Sequence, residues 1–145
     1  EHFVAYTFFV RDAQGEILLL DYFAVCAAYR SQGYGSQCLS QMRELFSGVK
    51  GVLAEVEDPK QSRSQKEQMI RERRVAFYQR NGLRQTELCS ALFGVPYILH
   101  YFSLEGDESE QQLLNALENI YRIMFSEMIP TEQVQLWSKK GDRVL

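Results

Sequence analysis

Between residues 17 and 46 an apolar strand passes through two closely spaced glycines into an amphipathic helix, and few folds can use such a junction. Ile17-Leu18-Leu19-Leu20-Asp21-Tyr22-Phe23-Ala24-Val25 reads as a mostly buried strand, while Leu39, Met42, Leu45 and Phe46 recur at helical spacing. Between them, Cys26-Ala27-Ala28-Tyr29-Arg30-Ser31-Gln32-Gly33-Tyr34-Gly35-Ser36 delivers the chain to a helix N-terminus. There the first backbone N–H groups lack intrahelical partners and the dipole is positive, so an anion meets ready donors wherever no Cβ stands in the way. Gly33 and Gly35 remove that obstacle, and the context predicts an anion cradle. A tight turn with no ligand is the alternative reading of a G-x-G taken alone.

The rest of the chain alternates strand and helix signals. Phe3 to Val10 is rich in aromatic and β-branched residues, Asp12-Ala13-Gln14-Gly15 is a turn, and Glu16 to Val25 returns, which predicts a hairpin. A helix is expected from about Gly35 to Phe46, then a strand over Val52-Leu53-Ala54-Glu55-Val56-Glu57 that ends at Pro59. Ser64-Gln65-Lys66-Glu67 has the form of a capping box and Asn81-Gly82-Leu83 that of a glycine stop, so together they bracket a second helix. Leu83 to Leu88 and Val95 to Leu104 read as two further strands. After an acidic turn, Leu113, Leu117, Ile120, Tyr121 and Met124 mark an amphipathic helix capped by Ser109 with Gln112. Beyond Pro130, Val134-Gln135-Leu136-Trp137 predicts a short strand at a sheet edge. With 145 residues and 46% hydrophobic content the chain can bury a core, and one domain is the natural count.

Several function classes find little support. No apolar run of about 18 residues occurs and no basic-then-apolar leader opens the chain, so a cytoplasmic protein without membrane insertion is the expectation. Cys26, Cys38 and Cys89 show no C-x-x-C spacing, and their odd count argues against a disulfide framework and for core positions. His2 and His100 stand apart from each other and from any cysteine pair, so no metal site is expected. The net charge of −3 conceals a locally basic stretch: Lys60, Arg63, Lys66, Arg71, Arg73, Arg74, Arg80 and Arg84 against Glu67 and Glu72. A solvated helix face is the plain reading of such a run. Guanidinium groups also match phosphate oxygens well. Nucleic acid is a poor second choice, because the whole chain is acidic and offers no aromatic-basic repeat.

Two motifs carry a family resemblance. Arg30-Ser31-Gln32-Gly33-Tyr34-Gly35 fits the R/Q-x-x-G-x-G/A signature of the GNAT superfamily of acyl-CoA N-acyltransferases, and it follows a strand ending in Val25 as that signature does. Arg74-Val75-Ala76-Phe77-Tyr78-Gln79-Arg80-Asn81-Gly82-Leu83-Arg84 resembles the family helix ending in F-Y-x-x-x-G-F, whose tyrosine faces the thioester sulfur. The chain departs from the pattern in three places. Ala27 stands where proline is common, and Arg71 stands where many members carry an asparagine that contacts the pantetheine arm. Glu1-His2-Phe3 leads directly into what looks like the third strand of the family fold, so the first strand, its two helices and the second strand have no counterpart.

The resemblance covers roughly residues 3–104 and implies an α/β (α+β) fold with a mixed, mostly antiparallel sheet flanked by helices. On this reading residues 1–104 form the acyl-CoA-binding core, and residues 105–145 add a C-terminal helical extension and short strand to the same domain. It implies acetyl-CoA as co-substrate, a small amine-bearing acceptor, direct transfer of the acetyl group, and no metal; self-association is left open. Val25, Arg30, Gln32, Gly33, Tyr34, Gly35, Ser36, Arg71 and Arg74 are the expected coenzyme A contacts.

Direct transfer makes three chemical demands. The oxyanion needs a fixed donor, which the family supplies from backbone N–H near Val25. The departing thiolate needs a proton, for which Tyr78 is the candidate acid. The incoming ammonium must lose a proton, and here Glu55, Glu57 and Asp21 are the candidates to bind the amine or act as base. Glu55 and Glu57 share a strand face by spacing, while Asp21 sits in an apolar strand where a buried acid needs a partner. Cys26 has no histidine nearby in sequence, so an acyl-cysteine route lacks an activating base. The alternative to an enzyme is a non-catalytic acyl-CoA-binding or sensing module.

Overall fold

A computed structural model describes residues 2–125, 131–141 and 143–145. The chain opens with a hairpin of β1 (Ala5–Arg11) and β2 (Ile17–Val25), antiparallel as the turn signal predicts. Asp12 closes it, its Oδ1 accepting the N–H groups of Glu16 at 2.8 Å and Ile17 at 3.1 Å. After β2 come α1 (Tyr34–Leu45), β3 (Gly51–Glu57) and α2 (Gln65–Arg80). Next are β4 (Arg84–Leu92), β5 (Val95–Ser103), α3 (Glu110–Met124) and β6 (Val134–Ser138). The strands form one six-stranded sheet in the order β1-β2-β3-β5-β4-β6, antiparallel except between β2 and β3. That mixed, mostly antiparallel sheet is the one the motifs imply.

Each face of the sheet buries its own core. On one face α1 and α2 cover Leu18, Leu20, Val52, Ala54 and Val56 with Leu39, Met42 and Tyr78; on the other, α3 covers Leu19, Leu53, Leu88 and Leu99 with Leu113, Leu117 and Ile120. Period-2 alternation along β2 and β3 assigns those residues to their faces.

Two irregularities in β2 shape everything that follows. β1 pairs Phe8 with Tyr22 and Phe9 with Leu20, which leaves Asp21 as an extra residue on β2. This bulge resets the alternation: Phe23 packs with α1 and α2, and Tyr22 takes the α3 face. The parallel ladder with β3 runs only from Ile17↔Gly51 to Leu20↔Ala54. Beyond it, Asp21–Val25 and Glu55–Glu57 have no partner in each other, and the sheet opens there as a wedge.

Local signals fare well. α3 carries the full capping box of Ser109 and Gln112, and β6 lies at the sheet edge beside β4. Gly82, at φ +92°, stops α2 as expected, with Leu83 N–H reaching back to Tyr78 O at 3.1 Å. The box at α2 is only half made: Ser64 accepts from Glu67 N–H at 3.1 Å, but the Glu67 carboxylate takes Arg63 N–H at 2.7 Å. β4 runs four residues past the expected Leu88 because Cys89, Ser90 and Ala91 pair with both β5 and β6, and pairing overrides weak strand propensity. Of the three free cysteines only Cys89 is buried; Cys26 and Cys38 are half-buried.

Candidate functional site

The two glycines of the loop have different physical jobs. Gly33 is the N-cap of α1 at φ +85°, and a Cβ there would meet nothing within 4 Å, so this position asks for the left-handed backbone and nothing else. Gly35 is not left-handed, but its Cβ would stand 3.1 Å from Cζ of Phe77. The absence of a side chain there lets α2 approach α1, whereas the sequence suggested that both glycines clear a path for an anion. Ser31, at φ +59°, adds a second left-handed residue to the loop. The first rung of α1 is Gln37 N–H to Gly33 O at 3.1 Å, which leaves the N–H groups of Tyr34, Gly35 and Ser36 ahead of the ladder. No side chain caps them, in contrast to Ser64 on α2 and Ser109 on α3.

A cleft of about 430 Å³ lies over this open terminus. Val25, Arg30, Gly33, Tyr34, Gly35, Ser36, Arg74 and Tyr78, all singled out from the sequence, line it. Arg30 is anchored by its Nε, which donates to Val25 O at 3.0 Å and ties the loop to the end of β2.

Two expected contacts do not line the cleft. Gln32 donates its side-chain N–H to Ala28 O at 2.9 Å and stays within its own loop. Arg71 is buried: its Nε lies 2.9 Å from Glu57, its Nη2 lies 2.7 Å from Glu67, and its Nη1 donates to Asp58 O at 2.9 Å. Its guanidinium fastens the start of α2 to the end of β3 and does not line the cleft. Arg73, Arg80, Phe23 and Phe77 also line the cleft and were missed. Ile70, Arg73, Arg74 and Phe77 fall at i, i+3, i+4 and i+7, so helical spacing held the signal for Arg73 and Phe77. Arg84, part of the same basic stretch, turns away to pair with Glu110 at 2.7 Å.

Tyr78 sits at the deep end of the cleft, 8% exposed. Burial pushes its phenol above the ordinary value while the charge of Arg74 pulls the other way. The group is therefore held protonated, as a proton donor must be. Behind it His100 is fully buried with its ring 6.5 Å away, and burial lowers its pKa to about 4, so it is a neutral core residue.

The candidate carboxylates occupy the wedge and its far side, and none of them lines the cleft. Asp21 is the bulged residue of β2 and is exposed, not the buried acid that its apolar neighbours suggested. Glu57 is held by Arg71 and by Arg74, the latter at 3.3 Å. Strand alternation would pair it with Glu55, but the arginines of α2 claim it where the β2–β3 ladder has ended. Glu55 instead meets α3, where the hydroxyl of Tyr121 donates a hydrogen bond to its Oε1. Burial lifts the Glu55 pKa to about 7; the Tyr121 bond opposes the rise and the charge of Asp21 adds to it. Tyr121 read only as a helix core residue in the sequence, since a partner on β3 leaves no local trace.

Among the described residues no group of three His, Cys, Asp or Glu could hold a metal ion, and no helix is long and apolar enough to cross a membrane.

No family model matches the sequence, and no curated protein does. Solved structures do. A protein described as a GNAT-family acetyltransferase from Bacteroides thetaiotaomicron superposes with a TM-score of 0.63 at 20% identity, over 84% of this chain and 66% of its own. One described in the same terms from Desulfovibrio desulfuricans gives 0.54 at 18% identity, over 70% of this chain and 61% of its own. The chain thus spans less than two thirds of the length of either neighbour, and what it has in common with them is the fold.

Proposed function

We propose, from the premise of a GNAT fold, that the chain is an N-acyltransferase moving an acyl group, acetyl in the first instance, from a coenzyme A thioester to a primary amine. The observation that carries this reading is the cleft itself, where an uncapped helix terminus and Arg73, Arg74 and Arg80 meet a buried, protonated Tyr78. Those residues fit coenzyme A. The free N–H groups of Tyr34, Gly35 and Ser36 suit the pyrophosphate, the arginines suit phosphate oxygens, and Phe23, Val25 and Phe77 suit the apolar arm.

A thioester brings an activated acyl carbon; the chain's own groups handle charge and protons. Alternate backbone groups of β2 beyond Leu20 have no ladder partner on β3, which supports assigning the oxyanion donor to an N–H near Val25. Glu55 can take one proton from the incoming ammonium, directly or through water. The amine lone pair then forms the new C–N bond, the C–S pair leaves on sulfur, and Tyr78 supplies the proton for that thiolate. The nitrogen sheds a second proton, so one ammonium and one thioester become one amide, one thiol and one released proton.

A second reading, a module that binds acyl-CoA without turning it over, draws on the distance of Asp21 and Glu55 from the cleft lining. The two readings separate in one experiment. Coenzyme A should raise the melting temperature by mass action, and acetyl-CoA with primary amines should release free thiol in an amine-dependent way. Stabilisation without thiol release favours the binding module. Neither effect removes both readings.

A further inference from the structure

Where the β2–β3 ladder has ended, Glu57 still ties β3 to α2 through two arginines. One carboxylate oxygen lies 2.9 Å from Nε of Arg71 and the other 3.3 Å from Nη1 of Arg74. The two partners are not equivalent. The Arg71 side chain is 7% exposed and is also held by Glu67 and by Asp58 O, so it fixes the carboxylate from the core side. Asparagine, which the family resemblance leads one to expect at this place, carries no charge to oppose a carboxylate. The Arg74 side chain is 46% exposed, lines the cleft, and has Glu57 as its one carboxylate partner among the described residues. Arg73 and Arg80 line the same wall and, among the described residues, have no carboxylate within 4 Å.

An arginine on an exposed helix face has many rotamers, and a carboxylate that is itself held from behind removes most of that freedom. Arg74 is therefore the arginine of the α2 wall whose guanidinium has a set place. That place is beside the acid. Residues four apart on a helix are neighbours on one face, and Arg74 stands one turn before Tyr78 with both in the cleft lining. Burial raises the Tyr78 phenol and the charge of Arg74 opposes the rise, so of the Glu57–Arg74 pair it is the cation that reaches the hydroxyl. Other ionisable groups packed near Tyr78 supply no charge at neutral pH: burial lowers His100 of β5 to about 4 and raises the thiol of Cys89 on β4. Arg80 leans over the ring of Phe77, 5.4 Å from its centroid.

We infer that Glu57 is a positioning residue for the acid step: backed by Arg71, it holds the Arg74 guanidinium beside Tyr78, where that charge stabilises the phenolate left when the proton goes to sulfur. This rests on the acyl-transfer reading and adds to it a residue outside the cleft lining. The step balances. An S–H bond forms as the O–H bond of Tyr78 breaks, the electron pair stays on the phenolate oxygen, and a proton from solvent restores the phenol before the next turnover. Without the strut the guanidinium would be drawn to the coenzyme phosphates or to water, and the phenol would be a weaker acid.

The test is a double-mutant cycle on kcat, with acetyl-CoA and whichever of ethylamine, putrescine and 2-phenylethylamine the wild type turns over. Glu57→Gln should lower kcat about two- to fivefold, the scale of a half-exposed charge contact. It should leave KM for acetyl-CoA no higher, because Arg74 stays charged and in the cleft. The alkaline limb of kcat, where Tyr78 loses its proton, should move to higher pH. In an Arg74→Gln background Glu57→Gln should change kcat no further, since the strut has nothing left to hold. Should Glu57→Gln fold poorly, Arg74→Lys against Arg74→Gln carries the same test: the lysine, still charged for Glu57 to hold, should keep most of the kcat that the glutamine loses. An unchanged kcat and alkaline limb in Glu57→Gln, or an equal loss in both backgrounds, overturns the positioning role and leaves acyl transfer standing. Coenzyme A binding with none of the amines turned over by the wild type overturns both.

Discussion

The two sides of the wedge differ in charge, in shape and in how they are built. On the α1 and α2 side, a glycine loop leaves three backbone N–H groups free and four arginines line a concave cleft. On the α3 side, two carboxylates without cationic partners among the described residues adjoin a convex strip of aromatic rings. One irregular strand makes both: β2 sends Phe23 and Val25 to the first side and Tyr22 to the second, and its bulge decides which. A chain of net charge −3 can therefore offer a polyanion and a cation separate approaches to one opening. The lesson is that local sign, not total charge, sets what each side can bind.

The largest expected effect tests whether the two sides meet in one reaction. Tyr78→Phe keeps the ring that packs between α2 and the sheet and removes the only atom that chemistry needs. Acyl transfer should fall by about one to four decades, with acetyl-CoA binding barely changed. Equal turnover under conditions where chemistry limits would make Tyr78 a packing residue.

Next comes the acid on the other side. If Glu55 is the base, kcat/KM rises with pH as the carboxyl loses its proton near pH 7, and Glu55→Gln removes that inflection and costs about 10²-fold. Tyr121→Phe deletes a donor that favours the ionised form, so the inflection should move to higher pH. Stability carries the same signature. The folded carboxyl is raised from 4.5 to about 7, so between those values the native state holds a proton that the unfolded chain has lost. Stability therefore falls as pH rises through that window and levels off above it. Melting curves of wild type and Glu55→Gln should converge at pH 5 and separate by pH 8, the variant being the flatter; identical pH dependence would remove Glu55 from the account.

The smallest effects separate two neighbouring arginines. Arg74→Gln, in the cleft wall, should raise KM for acetyl-CoA by roughly two- to fivefold, the scale of an exposed charge contact. Arg71→Ala should do the opposite kind of damage. It strips a buried guanidinium from Glu57 and Glu67 and should destabilise the fold by about 3 kcal/mol, with the affinity of the folded fraction unchanged. If Arg71→Ala instead weakened coenzyme A binding in a stable protein, the expectation drawn from the sequence motif would be right and its place in the structure misleading.

Much of this was legible before any coordinates. The helix caps at Ser64 and Ser109, the stop at Gly82 and the turn at Asp12 are written within four or five residues, because their hydrogen bonds close over that span. The glycine loop and the Phe77-Tyr78 pair are likewise local patterns, so the sequence by itself determined the order of elements, the open terminus of α1 and the tyrosine at the cleft. Tertiary structure decided the rest. Whether Glu55 or Glu57 stays available depends on which helix reaches each: Tyr121 is 66 residues from Glu55, while Arg74 is 17 residues from Glu57. The bulge at Asp21 is a mismatch of register between two strands, and the wedge is the place where a parallel ladder stops after Leu20 and Ala54. Neither is a property of any single segment. Pairing and burial are settled between partners distant in sequence, and side-chain charge follows from what those partners exclude or supply.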